Sequence, residues 1–226
     1  MSSYLQNCFQ FLSDLNQNNN RDWFTANKNR YVEAKLEFEA FVQELILSIA
    51  EWDSTVLPLQ AKDCVFRIYR DVRFSKDKRP YKTNFGAHIS AATKKSEVHS
   101  HAGYYIHLQP GNTFLGGGAY QPHPDWLKAI REEISQNANE LREIISDKVF
   151  KQYFGEMEGE QLKTAPRDYP KDHPEIELLR YKSFLAMHQV PDKSALSPDF
   201  LEHCNAVFKA LKPFDNFLNN SLSHAN

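Results

Sequence analysis

No stretch of the 226 residues approaches the roughly 18 consecutive apolar residues of a membrane-spanning helix, and the start of the chain has no cleavable apolar segment. A cytoplasmic protein that does not enter the membrane is expected. Cysteine is scarce: Cys8, Cys64 and Cys204 are scattered and odd in number, which excludes a disulfide framework or a two-cysteine zinc knuckle. Nine histidines are present, but His99 and His101 lack a carboxylate cluster at ligand spacing, and His88 and His107 fall on expected strands, so no metal site is expected. An excess of one charge is missing too. The formal net charge of -2 speaks against a globally basic nucleic-acid binder. There is no internal repeat and no Gly/Ser linker, and only Ala165 to Pro174 could form a joint, so a single domain over residues 1–226 is expected. Gly116, Gly117 and Gly118 are followed by neither a Walker lysine nor a dinucleotide fingerprint, and Ser75 stands in no nucleophile elbow.

What is present is an ordinary globular composition, with 41% hydrophobic and 25% charged residues. Leu5, Cys8, Phe9, Leu12 and Leu15 recur at helical spacing, and the Asn16 to Asn20 cluster stops them. Asn20 then suits the N-cap of a long helix through Phe24, Tyr31, Phe38, Phe41, Leu45 and Ile49. From Val65 the period changes to two, and strands are expected at Val65 to Phe74, Thr83 to Ala91, Gly103 to Gln109, Thr113 to Gly118 and Ser183 to Val190. The Pro110, Gly111, Asn112 link is short enough only for an antiparallel hairpin. Helical spacing returns from Trp126 to Ile145 and from Pro198 to Leu218. The order predicts an α+β fold, with an antiparallel or mixed central sheet of about five strands packed by several helices.

The richest segment is Arg67 to Lys82, RIYRDVRFSKDKRPYK. Its seven Lys/Arg against Asp71 and Asp77 give a local net of +5 and leave -7 on the rest of the chain. On a strand, Arg67, Tyr69, Asp71 and Arg73 share one face, and Arg70 falls in the otherwise apolar row with Phe66, Ile68, Val72 and Phe74. Arg70 is therefore expected to be more enclosed than Arg67 or Arg73 and to be paired with a carboxylate or carbonyls. Guanidinium forks alternating with aromatic rings suit planar anions such as phosphates and carboxylates. Arg67, Arg70, Arg73, Lys78 and Lys82 are the candidate anion-binding residues. Asp71 and Asp77 are candidate acid/base groups, or magnesium ligands beside a phosphorylated ligand. Arg67 and Arg73 lie far enough apart on an extended strand to favour a nucleotide or diphosphate over free phosphate. The alternatives are a basic surface that meets nucleic acid or an acidic protein, and a solvated ion-pair network with no ligand. Tyr81, Tyr104 and Tyr105 offer aromatic faces, although packing is the usual fate of strand tyrosines.

The Arg67 to Lys82 run, the Asn19-Asn20-Arg21-Asp22-Trp23-Phe24 opening, the Gly116 to Gly118 triplet before Pro122, Lys163 to Pro166, and Asp172-His173-Pro174 through Leu178 to Ser183 together resemble the domain-of-unknown-function family 2461. The likeness spans nearly the whole chain and departs from the family pattern at Asp168, where a glycine is usual. It implies an α+β protein and supplies no mechanism.

Overall fold

Asn20 ends the polar stretch after the first helix and caps the next, its side chain accepting from the Trp23 N–H at 2.9 Å. The computed structural model describes residues 5–91 and 99–222. Helix α1 (Gln6–Gln17) is followed by α2 (Arg21–Ala26) and α3 (Lys28–Ala50), a short 3-10 turn (Ser54–Val56) and α4 (Ala61–Cys64). Strands β1 (Phe85–Ile89), β2 (Tyr104–Leu108) and β3 (Thr113–Ala119) come next. Helices α5 (Pro124–Ser146), α6 (Lys148–Phe154) and α7 (Ile176–Leu179) precede β4 (Phe184–Val190), and α8 (Asp192–Ala195) and α9 (Phe200–Asn220) close the chain. The fold is α+β, with a four-stranded antiparallel sheet in the order β1-β2-β3-β4. No helix among the described residues is long and apolar enough to cross a membrane.

Two expectations are corrected. The long helix from Asn20 is broken at Asn27, whose φ of -107° and ψ of 19° are not helical. Its side chain donates to the Trp23 carbonyl at 2.9 Å, closing one helix as the next begins. The 23 residues of α3 still run about 35 Å. The expected strand Val65 to Phe74 does not form, so among the described residues the sheet has four strands rather than five. Within that segment only Val65 and Tyr69 make isolated antiparallel bridges, to Ala87 and Tyr81. Beyond Arg70 the ladder ends for local reasons. Pro80 has no N–H, and the Arg73 and Arg79 N–H groups donate to the Asp71 and Asp77 carboxylates.

The hairpin forms as its short link requires. Gly111 turns the chain with φ +75°, the Asn112 N–H donates to the Gln109 carbonyl at 2.9 Å, and Asp192 accepts from the Gly111 N–H at 2.9 Å. Alternation then sorts the sheet into two faces. Phe85, Ala87, Ile89, Tyr104, Ile106, Leu108 and Leu115 are buried, whereas His88, Tyr105, His107, Gln109 and Phe114 on the opposite face are half-buried. The half-buried face carries the functional candidates.

By contact the chain divides into two units, Met1–Ile89 with Tyr105–Leu115 and Gln189–Ala206, and Ser90–Tyr104 with Gly116–His188 and Val207–Asn226. In the first, aromatic rings join the N-terminal helices to β1. Phe38 and Phe85 stack at 5.5 Å, Phe11 and Phe85 at 6.3 Å, and Phe41 meets Phe200 at 5.4 Å. In the second, the Trp126 indole N–H donates to the Leu218 carbonyl at 3.0 Å, and Tyr104 lies 5.3 Å from Phe208. The glycine triplet lies inside β3 and not before a helix, and it permits close packing. An added Cβ would sit 2.6 Å from the Ala186 carbonyl oxygen at Gly116 and 2.5 Å from the Gly103 carbonyl oxygen at Gly117.

Gly118 combines a φ of +105° with a neighbouring backbone oxygen, that of Phe184, only 2.0 Å from where a Cβ would stand. Gly118→Ala is expected to lower unfolding free energy by more than about 2 kcal/mol, because strain and overlap add. Gly111→Ala, with φ +75° and nothing within 4 Å, meets only the strain of a left-handed backbone and loses about 1 kcal/mol. Urea denaturation of the two variants checks the contrast.

Candidate functional site

The stem of the basic segment is fixed from below by the chain's opening. The Asn19 side-chain amide donates to the Tyr81 carbonyl at 3.0 Å and accepts from the Tyr81 N–H at 3.1 Å, so one side chain satisfies both main-chain groups of that residue. Phe24 stacks flat on the Tyr81 ring at 3.9 Å. The two sides of the stem are held together by the Arg70 N–H donating to the Pro80 carbonyl at 2.9 Å and the Lys82 N–H to the Ile68 carbonyl at 2.8 Å. Residues 71–79 are the loop between them.

Within the loop the charges are largely matched. The Arg73 guanidinium grips Asp71 through Nε at 3.0 Å and Nη2 at 2.7 Å. Arg79 grips Asp77 in the same way, through Nε at 2.9 Å and Nη2 at 2.8 Å. Arg70 joins Asp77 at 2.8 Å and donates to the Arg79 carbonyl at 3.1 Å. Its side chain is 24% exposed against 77% for Arg73, the order its place in the apolar row predicts. Lys78 donates to the Val72 carbonyl at 3.0 Å. The Arg73 fork and main-chain N–H hold the Asp71 carboxyl down at about 2. Those of Arg79, helped by Arg70, hold Asp77 well below the usual carboxylate range. Both carboxylates are therefore ionised at neutral pH, where neither has a proton to donate, and their charge is already met by guanidinium groups rather than open to magnesium.

Of the five cations expected to bind an anion, the loop thus occupies Arg70, Arg73 and Lys78, leaving Arg67 and Lys82. The side chains of these two have no hydrogen bond or ion pair among the described residues. Arg67 is exposed and Lys82 half-buried. The Lys82 ammonium stands 5.5 Å from the centre of the Phe66 ring. Burial, and then the nearby Arg67 charge, pull its pKa below the ordinary lysine value.

The structure adds neighbours that sequence reasoning did not place at the site. Along β2, the Tyr105 hydroxyl lies 3.2 Å from His107 Nδ1, and His107 Nε2 lies 3.0 Å from the Gln109 side-chain oxygen. Since Gln109 Oε1 can only accept, Nε2 carries the ring proton and Nδ1 accepts from Tyr105. The Asn84 amide nitrogen is 3.4 Å from the same Nδ1, and Phe114 stacks on the imidazole at 4.5 Å. Burial lowers the His107 pKa, the Gln109 hydrogen bond pulls it part of the way back, and the Lys82 charge lowers it further. Gly86 leaves room for this ladder, because a Cβ there would stand 2.8 Å from the Tyr105 hydroxyl. The alternation of Tyr105, His107 and Gln109 on one strand face was the available signal, but their approach to Lys82 depends on the turn from Lys82 into β1. Elsewhere, His99 contacts the Tyr120 carbonyl at 3.0 Å, and no group of three or more His, Cys, Asp or Glu among the described residues is placed to hold a metal.

A family model described as a conserved hypothetical protein (DUF2461) matches residues 7–217. No curated protein and no solved structure matches the chain.

Since Lys82 depresses His107 through its charge, Lys82→Met is expected to raise the His107 midpoint while burial keeps it below the ordinary 6.5. The parent midpoint lies lower still. Folding therefore excludes a proton from this ring, and the stability it contributes is complete above about pH 6.5 and is lost as pH falls toward the folded midpoint. Histidine ring NMR titrations of parent and Lys82→Met protein, assigned with His107→Gln, check the shift.

Proposed function

This chain belongs to the DUF2461 family of conserved hypothetical proteins, and we propose that Arg67 and Lys82 bind the charged group of a phosphorylated or otherwise anionic small molecule. The observation that carries the reading is Lys82. A half-buried ammonium without an acceptor, next to a second cation, has given up hydration and meets repulsion in return. An anion between the two cations reverses both penalties. Arg67 supplies a planar fork for paired oxygens, and Lys82 a compact charge backed by the Phe66 ring. The Arg73-Asp71 and Arg79-Asp77 clasps shape the loop rather than hold the ligand.

A second reading draws on one further observation. Phe74, at the loop tip, is 95% exposed, and the Arg73 guanidinium lies 5.9 Å from its ring centre. An exposed ring among Lys76, Lys78 and Arg79 suits stacking by a base of single-stranded nucleic acid, or contact with an acidic protein surface.

Isothermal titration with pyrophosphate, at about 50 and 200 mM salt, separates the readings. One charge-assisted contact is worth roughly 1.5 to 3 kcal/mol, so Arg67→Ala and Lys82→Met should each weaken binding at least about tenfold, with Arg73→Ala within twofold of the parent. Equal losses from Arg67→Ala and Arg73→Ala, or no binding by the parent, would contradict the small-molecule reading. Oligonucleotide binding that falls steeply over the same salt range and is lost in Phe74→Ala would favour the second.

A further inference from the structure

We propose that the ligand is a phosphate ester of a planar, hydrogen-bonding ring, of the nucleoside monophosphate class, with its phosphate at Arg67 and Lys82 and its ring on the half-buried sheet face. This rests on the anion site proposed above and assigns the rest of the ligand.

Three observations carry it. The first is an aromatic path leading away from the cations. Lys82 Nζ lies 5.5 Å from the Phe66 ring centre, Phe66 lies 6.4 Å from Tyr105, and Tyr105 lies 5.8 Å from Phe114. All three rings are half-buried, so each keeps surface to offer. From the ammonium the path runs on over two rings, a longer surface than free phosphate would cover.

The second observation is a complementary pair of open amide groups. Gln109 Oε1 is taken by His107 Nε2 at 3.0 Å, and the Gln109 amide nitrogen has no hydrogen-bond partner among the described residues. Asn84 reaches His107 only through its nitrogen, at a long 3.4 Å, and its amide oxygen has no hydrogen-bond partner among the described residues. Both side chains are half-buried. One donor and one acceptor thus flank His107, and an Asn or Gln amide reads a base edge through such a donor and acceptor. A sugar phosphate would leave the aromatic surface unused.

The third is the state of His107. Its ring proton is fixed on Nε2 by Gln109, and Tyr105 fills Nδ1, so the imidazole is a neutral, oriented surface stacked on Phe114 at 4.5 Å. A flat uncharged shelf accepts an uncharged base without adding to the repulsion between Arg67 and Lys82. The groups facing it are Lys82 from the stem, Asn84 before β1, Tyr105 on β2, Gln109 just after it, and Phe114 on β3.

The test is isothermal titration of the whole chain with the four common nucleoside 5′-monophosphates, ribose 5-phosphate and inorganic phosphate. At least one nucleotide is expected to bind about tenfold or more tightly than ribose 5-phosphate, the gain that stacking one base confers. Gln109→Ala and Asn84→Ala should each shrink that preference and leave ribose 5-phosphate affinity within twofold of the parent, and Phe66→Leu should shrink it as well. Lys82→Met should weaken every phosphorylated probe. Should Phe66→Leu fail to fold, the two amide variants carry the test alone. Nucleotides no tighter than ribose 5-phosphate, with both still dependent on Lys82, would overturn the ring assignment and keep the anion site. Binding that ignores Lys82, or no binding of any probe, would overturn both.

Discussion

The site depends on a single amide. Asn19 meets both main-chain groups of Tyr81 at 3.0 and 3.1 Å, and Phe24 lies flat beneath the Tyr81 ring at 3.9 Å. Because Tyr81 bridges to Tyr69 and is followed directly by Lys82, this contact sets where the stem stands and where the lysine emerges. A peptide group satisfied on both sides by one side chain has little freedom to shift without stranding a donor or an acceptor. The opening motif therefore acts on the site through Tyr81.

Above that anchor, the loop sorts its charges by distance along the chain. Asp71 and Asp77 each capture the arginine two residues on, since an aspartate that accepts the N–H of residue i+2 brings that residue's guanidinium within reach. Arg70, returning along the stem, adds to Asp77. These exposed clasps shape the loop more than they stabilise the fold. Arg67 and Lys82 make no side-chain ion pair with either clasp among the described residues, although the Arg67 charge reaches Asp71 and helps to hold its carboxyl down. The half-buried face of the sheet, with a neutral histidine and two half-used amides, extends from this point.

Much of the architecture was legible in the sequence because periodicity and turn chemistry are local. The α+β order, the Asn20 cap, the hairpin across Pro110 to Asn112 and the greater enclosure of Arg70 follow from spacing alone. The strand assigned to Val65 to Phe74 did not follow, since alternation continues on paper past Arg70 while Pro80 and the two aspartates withdraw the hydrogen-bonding groups a ladder needs. The break at Asn27 was hidden in the same way: the apolar spacing from Phe24 to Ile49 runs through a residue whose side chain closes α2. At the site, the basic residues were visible as a run, but which were matched and which left over depends on pairings within the loop. His107 looked like an ordinary strand residue until the turn from Lys82 into β1 brought a cation near it.

The most direct measurement is a crystal structure of the protein soaked in pyrophosphate. An ordered anion bonded to both the Arg67 guanidinium and the Lys82 ammonium is expected, with the Arg73-Asp71 and Arg79-Asp77 clasps intact. An anion held instead by Arg73 or Arg79 with those clasps opened, or no ordered anion beside Lys82, would contradict it.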